Sequence, residues 1–176
     1  MNGLSRYLSE LYRWNEKINL TAVKREDAEE ALIKPSLAML EFFPAGKGRE
    51  IFDVGSGGGI PALALAASLP DDRFTLMESD RKKSVFLAHV VGLMKLKNAR
   101  VVCERAEKLA AMDGYAHCAD FVTSRAVKRD DVLNAARGLL KPGGRVIVHR
   151  SPKDSPEAVG FTLLAKNDYA DCFELK

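Results

Sequence analysis

Asp53-Val54-Gly55-Ser56-Gly57-Gly58-Gly59-Ile60-Pro61 is the stretch that decides the fold. Residues 50–54 read as a short buried strand, 55–59 as a glycine loop and 60–69 as an apolar helix opened by Pro61. Glycine lets the backbone turn sharply and approach a ligand with no side chain between them. The N–H groups at the helix start favour a phosphate or a carboxylate. The loop is not a dinucleotide fingerprint, because Ile60 stands where G-x-G-x-x-G needs its third glycine. Nor is it a phosphate-binding G-x-x-x-x-G-K, since Lys47 precedes the strand. Val54 in place of a first glycine excludes a nucleophile elbow around Ser56.

Downstream the pattern repeats. Strands are expected over 73–77, 99–103, 120–123 and 145–149, with helices over 80–94, 107–112 and 130–140 and a tight turn at 141–144. Strand and helix alternating five times predict an α/β fold: a mostly parallel sheet with helices on both faces. In such folds ligands bind beyond the carboxyl ends of the strands, near the switch point. Upstream, Leu4, Leu8 and Leu11 with Tyr7, Trp14 and Ile18 follow the three-and-four spacing of an amphipathic helix ending near Asn19. A second helical stretch starts near Glu26, is interrupted at Pro35 and ends at Pro44. The expected organisation is a single domain over 1–176: a helical N-terminal cap (1–46), an α/β core (47–150) and a short tail (151–176) with apolar patches but no evident strand pairing.

The chain has 176 residues, 47% hydrophobic and 29% charged, which excludes a disordered chain. Its longest nearly apolar run, residues 60–69, is half of what a membrane span requires. Glu10, Arg13, Glu16 and Lys17 leave no apolar signal-peptide core, so a cytoplasmic location with no membrane partner is expected. Cys103, Cys118 and Cys172 form no C-x-x-C pair and read as free thiols. His89, His117 and His149 are too widely spaced for a helical metal pair, so no metal is expected. Net charge is +3, yet residues 79–153 hold 16 Lys and Arg against 7 Asp and Glu. That basic excess is either a solvated face or a footprint for nucleic acid, with Arg81, Lys82, Arg125, Lys128, Arg129 and Arg150 following strand ends.

Glu78 closes the second strand 23 residues after Gly55, close to the spacing at which an acid reaches a ribose diol; Ser79 and Asp80 suffice to cap the next helix. Arg105-Ala106-Glu107 follows the third strand and Ser124-Arg125-Ala126 the fourth, where Arg125 faces the same crevice or pairs with Asp53 or Glu107. The paired acids Asp71-Asp72 and Asp130-Asp131 read as a turn and a helix start.

The glycine loop and the acid after strand two resemble a class I S-adenosylmethionine-dependent methyltransferase. Trp14-Asn15 with Asn19-Leu20-Thr21, the run from Phe52 to Pro61, Lys83 with Phe86-Leu87, Arg105-Ala106-Glu107 and Ser124-Arg125-Ala126 together resemble the small-subunit (16S) ribosomal RNA guanine-N7 methyltransferase family, also called glucose-inhibited division protein B. The resemblance runs from Trp14 to about Val148. It implies a Rossmann-like methyltransferase fold with S-adenosyl-L-methionine as cofactor. The cofactor positions it implies are Gly55, Ile60, Ala106, Glu107 and Arg125, with Glu78 where the family usually has aspartate, alongside Ser56, Gly57, Gly59 and Ser79 of the crevice. It also implies ribosomal RNA or the small ribosomal subunit as partner, met by a monomer. Guanine N7 carries an in-plane lone pair and no proton to lose, so no side chain need be catalytic. The chain departs from the family pattern at Lys34-Pro35-Ser36, at His149-Arg150-Ser151 and in its short tail. These departures leave open a methyltransferase with another substrate and a non-catalytic RNA-binding domain. A nicotinamide-dependent reductase is disfavoured by Ile60.

Overall fold

The computed structural model describes residues 3–150 and 158–176. Seven strands, β1 (Glu50–Val54), β2 (Arg73–Met77), β3 (Ala99–Val102), β4 (Ala119–Ser124), β5 (Leu140–His149), β6 (Phe161–Lys166) and β7 (Ala170–Leu175), form one sheet in the order β3-β2-β1-β4-β5-β7-β6. The first five are parallel, and β7 runs antiparallel to both β5 and β6. Successive side chains of a strand point to opposite faces, and the sheet is covered accordingly. Ile51, Phe74 and Leu76 join a core with α3 (Ala62–Ser68) and α4 (Arg81–Leu93); Phe52, Val54 and Met77 join a second with α5 (Ala106–Leu109) and α6 (Arg129–Leu139). The expected architecture of a mostly parallel sheet with helices on both faces is therefore the observed one. Its switch point lies between β1 and β4, where the strand order reverses.

The front segment packs on the α3 and α4 face. Tyr7 and Leu11 of α1 (Gly3–Asn15) are buried in that core with Leu32, Ile33 and Met39. The helix stops at Asn15 rather than near Asn19. The Asn15 carboxamide accepts the N–H groups of Leu20 and Thr21 and donates to the Thr21 carbonyl, turning the chain back on itself. Pro35 does not end the second stretch but stands in the first turn of its next α-helical segment, the restart position in which proline is tolerated. A 3₁₀ turn (Arg25–Asp27), a π-helical turn (Glu29–Ile33), α2 (Lys34–Ala38) and a 3₁₀ turn (Met39–Phe42) follow one another, the widened π turn accommodating the proline.

The tail also departs from expectation. Residues 151–157, Ser151 among them, lie outside the described residues, but β6 and β7 form an antiparallel pair that extends the sheet. Asn167 builds the connecting turn by accepting the N–H groups of Tyr169 and Ala170, and donates to Ala38 of the front segment. Residues 141–144, expected as a tight turn, belong to β5, as does Leu140, expected to end the preceding helix, with a register shift opposite Ala119 and Phe121. Asp72 is more than a turn residue: it is buried and receives the Arg49 guanidinium through Nε and Nη2, beside the rings of Phe43 and Phe121. The ends of the sheet opposite the crevice are pinned there.

Candidate active site

The loop after β1 takes its shape from its own hydrogen bonds. Gly55 and Ser56 donate backbone N–H to the Met77 carbonyl, and Gly59 donates to Ser56. Gly57 N–H reaches Glu78 Oε2 at 2.8 Å. Four of the loop amides are therefore engaged inside the protein. These four amides are spent on holding the loop, so here the loop offers shape rather than an array of donors. Gly55 has φ +68, and a Cβ there would lie 2.3 Å from Val127 Cγ2. A side chain at Gly55 is thus excluded by the segment after β4 as well as by backbone strain. Gly59, at φ +90, is closed off in the same way by Leu63, where a Cβ would come within 2.2 Å of Cδ1.

Over this loop opens a cavity of about 540 Å³, within the range of small-molecule sites, roughly 300–1,000 Å³. Gly55, Ser56, Gly57, Ile60, Glu78, Ser79 and Arg125 line it, as expected from sequence. Gly59, Ala106 and Glu107 are not brought into it. Gly59 is packed under Leu63, Ala106 is buried in the second core, and Glu107 is exposed at the start of α5.

Glu78 is buried, and each of its oxygens accepts one backbone N–H at 2.8 Å, Oε2 from Gly57 and Oε1 from Asp80. A carboxylate has about four acceptor positions, so two stay available. The capping of α4 falls to Asp80, whose carboxylate takes Lys82 and Lys83 N–H. Across β1, at the end of β4, the Arg125 guanidinium donates through Nη2 to the Ala31 carbonyl at 2.7 Å. It pairs with neither Asp53 nor Glu107, the two acids the sequence offered. Its Nη1 is buried with no hydrogen-bond partner among the described residues. Strands β2 and β4 flank β1, so the acid and the guanidinium leave the sheet about 10 Å apart, two strand spacings.

Sequence reasoning missed the roof. Tyr7, Leu11, Leu20, Thr21, Ala22, Val23 and Leu32 line the cavity from the front segment. Tyr7 is fully buried and its hydroxyl donates to the Gly58 carbonyl at 2.8 Å, tying α1 to the loop; burial pushes its ionisation well above the ordinary range. The Asn15 clasp and the bonds from Tyr12 Oη to Val23 and Lys24 hold residues 20–23 in place. The readable signal was Asn15 with Asn19-Leu20-Thr21, but no periodicity says that a cap over a sheet will reach its ligand crevice.

Beneath the loop, Asp53 is buried and accepts a hydrogen bond from Thr123 Oγ1 at 2.6 Å, while its Oδ2 has no partner among the described residues. Burial pushes its carboxyl up to about 7, opposed by hydrogen bonding from Thr123 and Ser56 and reinforced by the nearby Glu78 charge.

A family model described as rRNA small subunit methyltransferase G (GidB) matches residues 1–169. The chain belongs to this family. A ribosomal RNA small subunit methyltransferase G of Polynucleobacter asymbioticus is 38% identical over 166 residues, covering 91% of this chain and 73% of that protein. One from Hydrogenovibrio crunogenus is 36% identical, covering 96% and 75%. Among solved structures, a putative methyltransferase, yhhF, from Escherichia coli superposes with a TM-score of 0.66 at 19% identity, covering 84% of this chain and 89% of that one. A SAM-dependent methyltransferase from Aquifex aeolicus superposes at 0.63 with 14% identity, covering 96% and 97%. These two likenesses show the fold. The chain is a methyltransferase and its cofactor is S-adenosylmethionine. The site's residues fit that group: the cavity has the volume, an acid with free acceptor positions at one side, and a buried guanidinium with an unpaired donor at the other.

Proposed function

We propose that the chain methylates guanine N7 of small-subunit ribosomal RNA, working in the cytoplasm as a monomer and a single domain. The observation that carries the site assignment is the pairing of Glu78 and Arg125 across one cavity floored by the glycine loop. Glu78 would hold the ribose diol with the acceptor positions it does not use on Gly57 and Asp80, each charged bond contributing ~1.5–3 kcal/mol. Ser79, Ser56, Gly57 and Ile60 would line the body of the cofactor, with Gly55 and Gly59 shaping the turn. Arg125 Nη1 would take an oxygen acceptor at the methyl-donor end. Ala106 and Glu107, at the carboxyl end of β3, would be reached by a cofactor extending past Ser79.

When bound, S-adenosylmethionine supplies an electrophilic methyl group on its sulfonium. The nucleophile, an aromatic nitrogen lone pair, has no proton to lose. The protein therefore needs no general base, and its contribution is alignment, an effect that can supply ~7–11 kcal/mol. Residues 20–23 and Tyr7 would cover one side of the bound cofactor, and the guanidinium would set the charge around the reacting ends. Exposed Arg81, Lys82 and Lys128 stand where α4 and α6 begin, at the crevice mouth, and suit a phosphate backbone. Arg129 and Arg150 are less available: Arg129 lies over the Phe173 ring and Arg150 pairs with Asp171. No helix among the described residues is long and apolar enough to cross a membrane.

Calorimetry with S-adenosylhomocysteine and, separately, NADH tests the reading. Binding of the first alone is expected. Binding of NADH alone would make the site a reductase's, and binding of neither would leave a non-catalytic RNA-binding domain.

A further inference from the structure

We propose that Pro35 is a positioning residue for Arg125, acting through the carbonyl of Ala31. The inference rests on the cofactor reading of the cavity. In an α-helix each carbonyl accepts the N–H four residues ahead, and for Ala31 that residue is Pro35, which has no N–H and whose ring crowds the same carbonyl. The chain responds by widening into a π turn over Glu29–Ile33, with Lys34 N–H reaching back to Glu29. Such turns recur at functional sites, and the carbonyl that Pro35 leaves without its helical donor is that of Ala31. Here the carbonyl is claimed by the Arg125 Nη2 at 2.7 Å, from a residue 94 positions away.

One bond to a fixed backbone oxygen settles the plane of the whole guanidinium, because its five donors form a rigid fork. With Nη2 held by Ala31, Nη1 is left buried and without a partner among the described residues, in a side chain that lines the cavity. Burial in this apolar setting, with Leu32 and Val127 beside it, disfavours the charge. An unpaired buried donor is costly, and an anionic or carbonyl oxygen on the ligand removes that cost on binding. Leu32, in the same turn, also lines the cavity.

Pro35→Ala supplies the missing N–H, lets Ala31 be bonded within an ordinary helix and releases Arg125. S-adenosylhomocysteine affinity should fall at least fivefold while the melting temperature is little changed, since the first turn of α2, where Pro35 stands, accepts alanine as well as proline. Arg125→Lys should weaken binding in the wild-type background by several times more than in the Pro35→Ala background, a non-additivity that a merely structural proline would not produce. As a second perturbation, an ester in place of the amide linking Ala31 to Leu32 weakens the Ala31 carbonyl as an acceptor with Pro35 intact, and should reproduce the loss of affinity. Equal affinity of wild type and Pro35→Ala, or additive effects of the two substitutions, overturns the proposal alone. No binding by the wild-type chain overturns the cofactor reading and this proposal with it. Should Pro35→Ala fail to fold, the ester variant decides: unchanged affinity there overturns the proposal.

Discussion

Asp53 makes the stability of this protein depend on pH in a direction opposite to that of most carboxylates. Its carboxyl is buried under the glycine loop and is pushed from an ordinary 3.8 up to about 7, chiefly by burial. A raised folded-state value means that the native protein binds this proton more tightly than the unfolded chain does. Stability from this group is therefore fully present below pH ~4 and is lost as pH climbs to about 7, where the buried carboxylate ionises. A shift of about three units at ~1.36 kcal/mol each gives a loss of up to about 4 kcal/mol across that window. Asp53→Asn keeps an acceptor for Thr123 Oγ1 and cannot ionise. Its nitrogen would occupy the unpartnered Oδ2 position, a pH-independent cost of ~1–3 kcal/mol. Urea unfolding of both proteins at half-unit intervals from pH 4.5 to 8 isolates the residue, because all other titrating groups are common to both. The wild type should lose stability relative to Asp53→Asn by several kcal/mol over the interval. Parallel profiles would show that Asp53 titrates alike in both states and would refute the reasoning.

Glu78→Ala removes two buried backbone contacts and the diol acceptor, and S-adenosylhomocysteine affinity should fall ~10–100-fold, equivalent to ~1.4–2.8 kcal/mol; unchanged calorimetric affinity in a folded variant would remove Glu78 from the site. Asn15→Ala releases residues 20–23 from three hydrogen bonds, so the Leu20 and Thr21 amides should exchange with solvent faster and cofactor affinity should drop severalfold, while unaltered exchange would mean that the roof holds without the clasp. Lys82→Gln with Lys128→Gln should flatten the plot of log affinity for RNA against log salt by about 1.4 if each side chain meets one phosphate of a single strand; an unaltered slope would place both on a solvated face only.

What was legible in the sequence follows from the range of the interactions involved. The alternation from Glu50 to His149 reads as a parallel sheet because each strand and helix carries its own apolar period, and the crevice follows from the topology. Residues at the ends of β1, β2 and β4 were found that way. The roof was not, because Tyr7 meets Gly58 across 51 residues and nothing local marks that bond. The partner of Arg125 was missed for a related reason: Asp53 and Glu107, acids at neighbouring strand ends, were the natural candidates, but the acceptor is a backbone carbonyl in a segment read as merely interrupted. The closing strands escaped notice because β6 exposes five of its six residues and shows no alternation, so its pairing is visible only once β7 lies against β5. Asn167-Asp168 was the turn signal available there.

The most direct test of the account is methyl transfer itself. The purified chain is incubated with S-adenosylmethionine labelled in its methyl group and small ribosomal subunits, or their free RNA, from cells lacking this family's enzyme. The RNA is then treated with borohydride and aniline, which cleave at N7-methylguanosine. Label is expected in the small-subunit RNA together with a new cleavage at one guanine, and both should fall in Glu78→Ala at a cofactor concentration that half-saturates the wild type. Label that appears without cleavage would place the methyl on another atom, and absence of transfer to either substrate by a chain that binds S-adenosylhomocysteine would contradict the assigned reaction.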